Sequence, residues 1–224
     1  MTNLNSIRKY FKNKKILEQA LTHRSWVNEN PKKRGTNERL EFLGDAILEF
    51  VVSKEIYEKF PNKEEGYLTA LRANIVNTRN LSLVAKKLAL GKALYLSKGE
   101  EETGGRENPS LLADTVEALI GAFYIDQGLE KTEAFIKTNI LNDIKEKLKH
   151  PLKDAKSRLQ EIVQAKSKPA PKYVVVEESG PDHNKKFITE VVVNGKVWGR
   201  GIGKSKGEAE QAAATKALDK HTNL

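Results

Sequence analysis

The sequence predicts two domains of different class: an all-α N-terminal domain over residues 1–148 and a small α+β domain, of order α-β-β-β-α, over residues 154–224, joined by a linker at 149–153. Three observations carry this prediction. Apolar residues recur at helical spacing through the first part of the chain, with no strand alternation. The charged stretch Lys145–Lys156 contains Pro151, which marks a connection between domains. Beyond it, runs rich in β-branched residues flank Asn194-Gly195, the strongest short-range hairpin signal.

Element by element, the pattern predicts helices over Ile16–Leu21, Glu38–Phe60, Glu65–Leu90, Ser110–Asp126 and Glu130–Leu148, broken by Pro61, Gly91 and Gly104-Gly105. In the second domain it predicts a helix over Asp154–Lys166, strands over Lys172–Glu178, Phe187–Val193 and Lys196–Ile202, and a last helix over Ser205–His221. That last helix packs through Ala209, Ala212, Ala213, Ala217 and Leu218.

Two of the predicted helices carry paired acids. Glu41 and Asp45 stand at i, i+4, and Asp114 and Glu117 at i, i+3, so each pair shares one helix face. On the first helix, with Asn37 as N-cap, Glu38, Glu41, Asp45 and Glu49 form one stripe. Leu40, Phe42, Leu43, Ala46, Ile47, Phe50 and Val51 cover the rest, which predicts a helix buried on most sides. Gly44 beside the first pair, and Ala118 and Gly121 beside the second, would let the two backbones approach closely. Burying ionised carboxylates costs several kcal/mol each unless a cation compensates them. Four such acids among apolar flanks point to a hard divalent ion with oxygen ligands, of the Mg²⁺ type. The competing reading is a solvated helix face whose acids merely favour the helix dipole.

Composition narrows the function classes. The 224 residues suffice for one medium and one small domain, and the net charge of +9 points to a polyanionic partner. With no cysteine there is no disulfide, thiolate metal site or cysteine nucleophile. No apolar run reaches membrane-span length and no signal-peptide core is present, so the expectation is a soluble, cytoplasmic protein with no membrane partner. His23 reads as a structural or interface residue rather than a ligand.

Asn37-Glu-Arg-Leu-Glu-Phe-Leu-Gly-Asp45 resembles the signature of the ribonuclease III family, and Ala20-Leu-Thr-His-Arg-Ser25 is similar to a stretch that precedes it in bacterial members. Leu112-Ala-Asp-Thr-Val-Glu-Ala-Leu-Ile-Gly121 resembles the family's second acidic motif. The C-terminal part resembles the double-stranded RNA-binding domain in three places: Gln160-Glu161 on its first helix, Gly180-Pro-Asp-His183 between its first two strands, and Gly203-Lys-Ser-Lys206 at its last helix.

The resemblance implies an endoribonuclease of double-stranded RNA, acting as a homodimer with one acidic site per subunit along a shared RNA-binding valley. Each site would cut one strand, leaving 5′-phosphate, 3′-hydroxyl and a short 3′ overhang, in rRNA and mRNA processing and decay. Mg²⁺, with Mn²⁺ expected to substitute, would be held by Glu41, Asp45, Asp114 and Glu117 and would lower the pKa of a bound water; a second ion could stabilise the departing 3′ oxygen. No small-molecule organic cofactor is implied. Glu38 and Glu65 match positions associated with handling RNA near the cut.

In the second domain Gln160 and Glu161 can bond ribose 2′-hydroxyls in the wide minor groove of A-form RNA, and His183 can reach a second groove. Lys204, Ser205 and Lys206 stand at a helix start, where orphan N–H groups attract phosphate. The chain departs from the family pattern at Gly207 and Glu210, where further lysines are usual, which weakens the expected phosphate grip.

Three rival functions differ in testable ways. A non-catalytic RNA-binding scaffold of the same fold would have lost one or more of the four acids. A di-iron carboxylate protein needs Glu-x-x-His pairs, and no histidine stands three residues after any of these acids. A regulator that cuts only selected RNAs would share every one of these motifs.

Overall fold

In the computed structural model the described residues are 4–142, 154–181 and 185–221. The chain divides into two compact units, Met1–His150 and Pro151–Leu224. The linker expected at 149–153, and His183, lie outside the described residues.

Among its described residues the N-terminal unit is built of helices and connecting loops, with one isolated bridge between Thr22 and Tyr95. Its helices are α1 (Leu4–Tyr10), α2 (Lys14–Ala20), α3 (Arg24–Glu29), α4 (Glu38–Lys59), α5 (Glu65–Val76), α6 (Thr78–Lys87), α7 (Lys98–Glu102), α8 (Pro109–Gln127) and α9 (Leu129–Ile136), which continues into a π-helical turn at Lys137–Leu141. At the centre lies α8, where Leu112, Val116, Leu119, Ile120 and Ala122 are all buried. Its limits follow from local chemistry. Asn108 caps the start by accepting the Ser110 N–H at 3.0 Å, Pro109 opens the helix, and Gly128, at φ +81°, ends it. Around α8 pack α4 through Leu48, Val51 and Val52, α6 through Leu81 and Ala85, and α2 through Leu17 and Ala20. Each fully buried side chain of Leu or Ile size contributes roughly 1.5–3 kcal/mol.

Three expectations are corrected here. The single helix predicted over Glu65–Leu90 is two, because Asn77 leaves helical geometry at ψ 158° and caps α6 by accepting the Asn80 N–H at 2.9 Å. Asn37 stands at the N-cap of α4 without a side-chain capping bond; its backbone carbonyl receives the Leu40 and Glu41 N–H groups instead. Nor is α4 buried on most sides. Phe42, Phe50 and Tyr57 are 80%, 54% and 72% exposed. The apolar residues on α4 therefore serve two surfaces, one toward the core and one outward.

The C-terminal unit has α10 (Ala155–Ala165), strands β1 (Lys172–Ser179), β2 (Lys186–Val193) and β3 (Lys196–Gly203) in sheet order β1-β2-β3, all antiparallel, and α11 (Lys206–His221). Asn194 and Gly195 both have positive φ, as the two central residues of a tight hairpin turn require. Both helices cover one face of the sheet over a core of Leu159, Val163, Val191, Val193, Trp198, Ala213, Ala214, Ala217 and Leu218. Ala214 takes the place that the sequence assigned to Ala212.

Candidate active site and nucleic-acid interface

The acids meet because α4 and α8 touch backbone to backbone. A Cβ on Gly44 would overlap the main-chain carbonyl of Glu117, and one on Gly121 would overlap the carbonyl of Leu40. No other residue allows this approach without displacing a helix. Glu41 and Asp45 flank Gly44 on one helix, and Asp114 and Glu117 precede Gly121 on the other.

Carboxylate oxygens of Glu41, Asp114 and Glu117 lie within 4.8 Å of one another, and all three side chains are partly buried. Asp45, the fourth expected member, is exposed and outside this group of three, although its charge reaches both Glu41 and Glu117. Burial, then the charges of Asp45, Asp114 and Glu41, push the Glu117 carboxyl up to about 7. Burial, then Asp114, Glu38 and Asp45, raise Glu41. Burial also raises Asp114, against a lowering influence from His23. No cation figures among the influences on Glu41 or Glu117. Like charges held this close disfavour one another's ionised form, so the set is poorly stable by itself.

A cavity of about 220 Å³ adjoins the cluster. Leu94, Leu96 and Leu111 line its apolar part, and His23, Arg24, Asn37, Glu38, Glu41, Asp114 and Thr115 its polar part. Glu38 is exposed, accepts a hydrogen bond from the Thr36 hydroxyl at 3.0 Å, and lies 3.5 Å from the Arg24 guanidinium. Glu65 is elsewhere in the unit: it opens α5, accepts from the Thr69 hydroxyl at 2.9 Å, and lines a groove with Phe50, Tyr57 and Arg72. Sequence reasoning passed over Arg24 and Asn37 as cavity residues, although both sit inside the stretches quoted above.

In the C-terminal unit Gln160 and Glu161 are exposed on α10, and Lys204, Ser205 and Lys206 are exposed at the start of α11. The α11 start is capped from within. The Ser205 hydroxyl accepts the Glu208 N–H at 3.2 Å, and the Glu208 carboxylate accepts the Lys204 N–H at 2.9 Å. The N–H groups expected to attract phosphate are thus partly used within the chain itself. Ser179, Gly180, Lys185, Lys186, Lys204 and Glu208 line one groove, which joins the end of β1 to the start of α11. The Lys185-Lys186 pair was visible in the sequence but was not singled out there.

No helix among the described residues is long and apolar enough to cross a membrane. A family model described as Ribonuclease-III-like matches residues 13–144, and one described as the double-stranded RNA binding motif matches residues 155–221. Ribonuclease 3 of Anoxybacillus flavithermus is 49% identical over 216 residues, covering 96% of this chain and 91% of the relative. Ribonuclease 3 of Geobacillus kaustophilus is 48% identical over 210 residues, covering 93% and 85%. Among solved structures, the nuclease domain of ribonuclease III from Campylobacter jejuni superposes with a TM-score of 0.57 at 39% identity, over 64% of this chain and 97% of that one. The two family models match the chain in the order of its two units, relatives named Ribonuclease 3 cover more than nine-tenths of it, and the chain belongs to the ribonuclease III family of endoribonucleases.

Proposed function

We propose that the chain cleaves double-stranded RNA at the acidic cluster, with Mg²⁺ held by Glu41, Asp114 and Glu117 and supported by Asp45, and with Mn²⁺ able to replace it. The observation that carries this reading is the convergence of three carboxylates within 4.8 Å, with Glu117 pushed up to about 7 by burial and like charge. The donor set fits the ion: all ligands are hard oxygens, no nitrogen or sulfur donor belongs to the group, and an unneutralised cluster would repel phosphate. When bound, Mg²⁺ supplies Lewis acidity at the phosphodiester and neutralises charge there.

The protein's own residues do the rest. Gly44 and Gly121 keep the two helices close, so the carboxylates cannot separate to relieve their repulsion. Partial burial beside Asp45, Asp114 and Glu41 disfavours the bare carboxylate of Glu117, which a proton or a cation relieves. Asp45, exposed beside the cluster, adds charge on the solvent side, where substrate arrives. Glu38 handles RNA at the cavity's polar edge. Gln160, Glu161, Lys204, Ser205 and Lys206, with His183, hold the duplex by its minor grooves and phosphates.

The reading includes a homodimer. The outward stripe of Phe42, Phe50 and Tyr57 is the apolar surface such an assembly would bury, and the nuclease domain from Campylobacter jejuni is described as having a region involved in dimer formation. In a dimer Glu65, which lines the groove beside that stripe, would lie near the partner subunit. Products would carry 5′-phosphate and 3′-hydroxyl ends with short 3′ overhangs, and the cellular role would be rRNA and mRNA processing and decay in the cytoplasm.

The test is incubation of the full chain with long duplex RNA, with Mg²⁺ and with chelator, followed by end analysis. Cleavage in Mg²⁺ alone, with these ends, is expected. Cleavage that persists in chelator would overturn the metal assignment. Duplex DNA of the same sequence should compete poorly, since it lacks 2′-hydroxyls and the A-form groove.

A further inference from the structure

One side of the cavity beside the acidic cluster is built by residues that the carboxylate chemistry does not use. His23 and Arg24 line it together with Glu41 and Asp114. The His23 ring has its tautomer set by its neighbours. The backbone N–H of Ser25 donates to Nδ1 at 3.3 Å, and the Ser25 hydroxyl lies 2.8 Å from the same nitrogen. That hydroxyl oxygen in turn accepts the Ser97 N–H at 3.0 Å. A backbone N–H can only donate, so Nδ1 is an acceptor and the ring proton sits on Nε2.

The main chain is pinned as well. The His23 N–H donates to the Tyr95 carbonyl at 3.1 Å, and the Tyr95 N–H to the Leu21 carbonyl at 2.9 Å. Arg24, next to His23, has a side chain 68% exposed, and its 3.5 Å pairing with Glu38 is of the weak, exchangeable kind.

A strand that brings a phosphodiester to these acids must pass its flanking phosphates close to like charge. Donors in the same cavity answer that need: the ring N–H is one, and a loosely paired guanidinium that can turn to the strand is another. We propose that His23 is an RNA-contacting residue of this site: its Nε2–H, oriented by Ser25 and Ser97, donates a hydrogen bond to a backbone oxygen of the strand lying in the cavity, with Arg24 offering charge beside it. The inference rests on the acidic cluster being the cleavage site.

Two substitutions in the full chain separate this role from helix capping. His23→Asn keeps an acceptor near the place of Nδ1, and so the cap on α3, but is too short to place an N–H where Nε2 stood. His23→Gln keeps an N–H near the place of Nε2 and loses the cap. The Asn variant should melt close to the parent, yet kcat/KM on long duplex RNA should fall about tenfold, the loss expected for one hydrogen bond to a charged acceptor.

Binding, read in a non-cleaving Glu117→Gln background with Mg²⁺ present, should weaken by roughly the same factor. The Gln variant should melt lower but retain, per folded molecule, several times the activity of the Asn variant. An Asn variant that binds and cuts like the parent would show that His23 is only a cap. Equal losses in the two variants, at matched folded fraction, would also overturn the proposal. If Glu117→Gln alone still cuts at the parent rate, it is the acidic-site reading that fails, whatever the His23 variants do.

Discussion

In the N-terminal unit Gly44 and Gly121 let α4 and α8 meet backbone to backbone; in the C-terminal unit Gly199, Gly201 and Gly203 of β3 let the sheet meet Ala209, Ala213 and Ala217 of α11 in the same way. The packing device is shared, but its effect on charge is opposite. Close approach in the first unit forces carboxylates on two helices together and half-buries them. In the second it leaves an interior of Ala, Leu, Val and Trp and turns the charged residues outward, Lys204 and Lys206 among them. Residues 151–224 hold 14 Lys and Arg against 9 Asp and Glu, so the smaller unit carries more than half of the net charge. One unit therefore concentrates unfavourable electrostatics where two helices touch, while the other displays its excess positive charge on the surface.

The largest test of that contrast is to add one methyl to each interface. Gly44→Ala would drive Cβ into the Glu117 carbonyl, at a cost of about 1–3 kcal/mol or more from overpacking. Cleavage should fall at least tenfold, with duplex binding by the C-terminal unit largely kept. Gly201→Ala would collide with the backbone of Ala209 and Ala213 and should do the reverse, weakening binding while residual cleavage at low salt survives. Thermal unfolding, gel-shift and cleavage assays on both variants check the pair; identical phenotypes would mean that the units are not independent.

Next in size is Glu117→Gln, which keeps side-chain volume but offers a weaker ligand. Cleavage should drop below a tenth of the parent rate at saturating Mg²⁺, with duplex affinity nearly unchanged. Faster cutting would remove Glu117 from the metal site.

The pH dependence follows from the same residue. Its carboxyl is raised from 4.5 to about 7 in the folded protein, so the proton binds the folded state more tightly than the unfolded chain. The stability this contributes is fully present below about 4.5 and is lost as pH rises through about 7. Metal-free protein should therefore melt lower at pH 8 than at pH 5.5, a difference that Glu117→Gln should reduce. Mg²⁺ should raise the melting temperature more at the higher pH, because the proton no longer competes.

Truncation after His150 sharpens the comparison more gently. The shortened chain should still cut at low salt, since Glu41, Asp45, Asp114 and Glu117 all remain, but should lose the tethered second binding module. Its affinity should fall less steeply with added salt, because phosphate contacts set that slope. Equal activity at physiological salt would show that the C-terminal unit selects substrates without adding affinity.

Smallest is Gly207→Lys. A Cβ there meets open space, so a side chain fits without displacing anything. One added phosphate contact should tighten duplex binding a few-fold and steepen the salt dependence by roughly 0.7–0.9 in log–log slope. No change would mean that the α11 start does not face phosphate.

The acidic pairs were legible because their spacing is a property of one helix: i, i+4 and i, i+3 share a face whatever the helix packs against. Asn194-Gly195 and, apart from Ala212, the alanine face of α11 were legible for the same reason, being local choices of backbone geometry and side-chain size. The break at Asn77 was not, because the apolar period runs on from α5 into α6 and only the capping bond to Asn80 reveals the turn.

What the sequence by itself determined is therefore the set of helix and strand faces and the charge that each displays. Which faces meet was decided by tertiary structure. Hydropathy cannot tell Val51, buried in the core, from Phe42 on the same helix, 80% exposed, because both are apolar and only the arrangement of neighbours separates them. Nor could spacing along the chain say that Glu41, Asp114 and Glu117 close to within 4.8 Å while Asp45 stays outside, or that His23 turns one nitrogen to Ser25 and has its proton on the other. Distances between elements are set by how far two backbones can approach, and here by the missing side chains of Gly44 and Gly121.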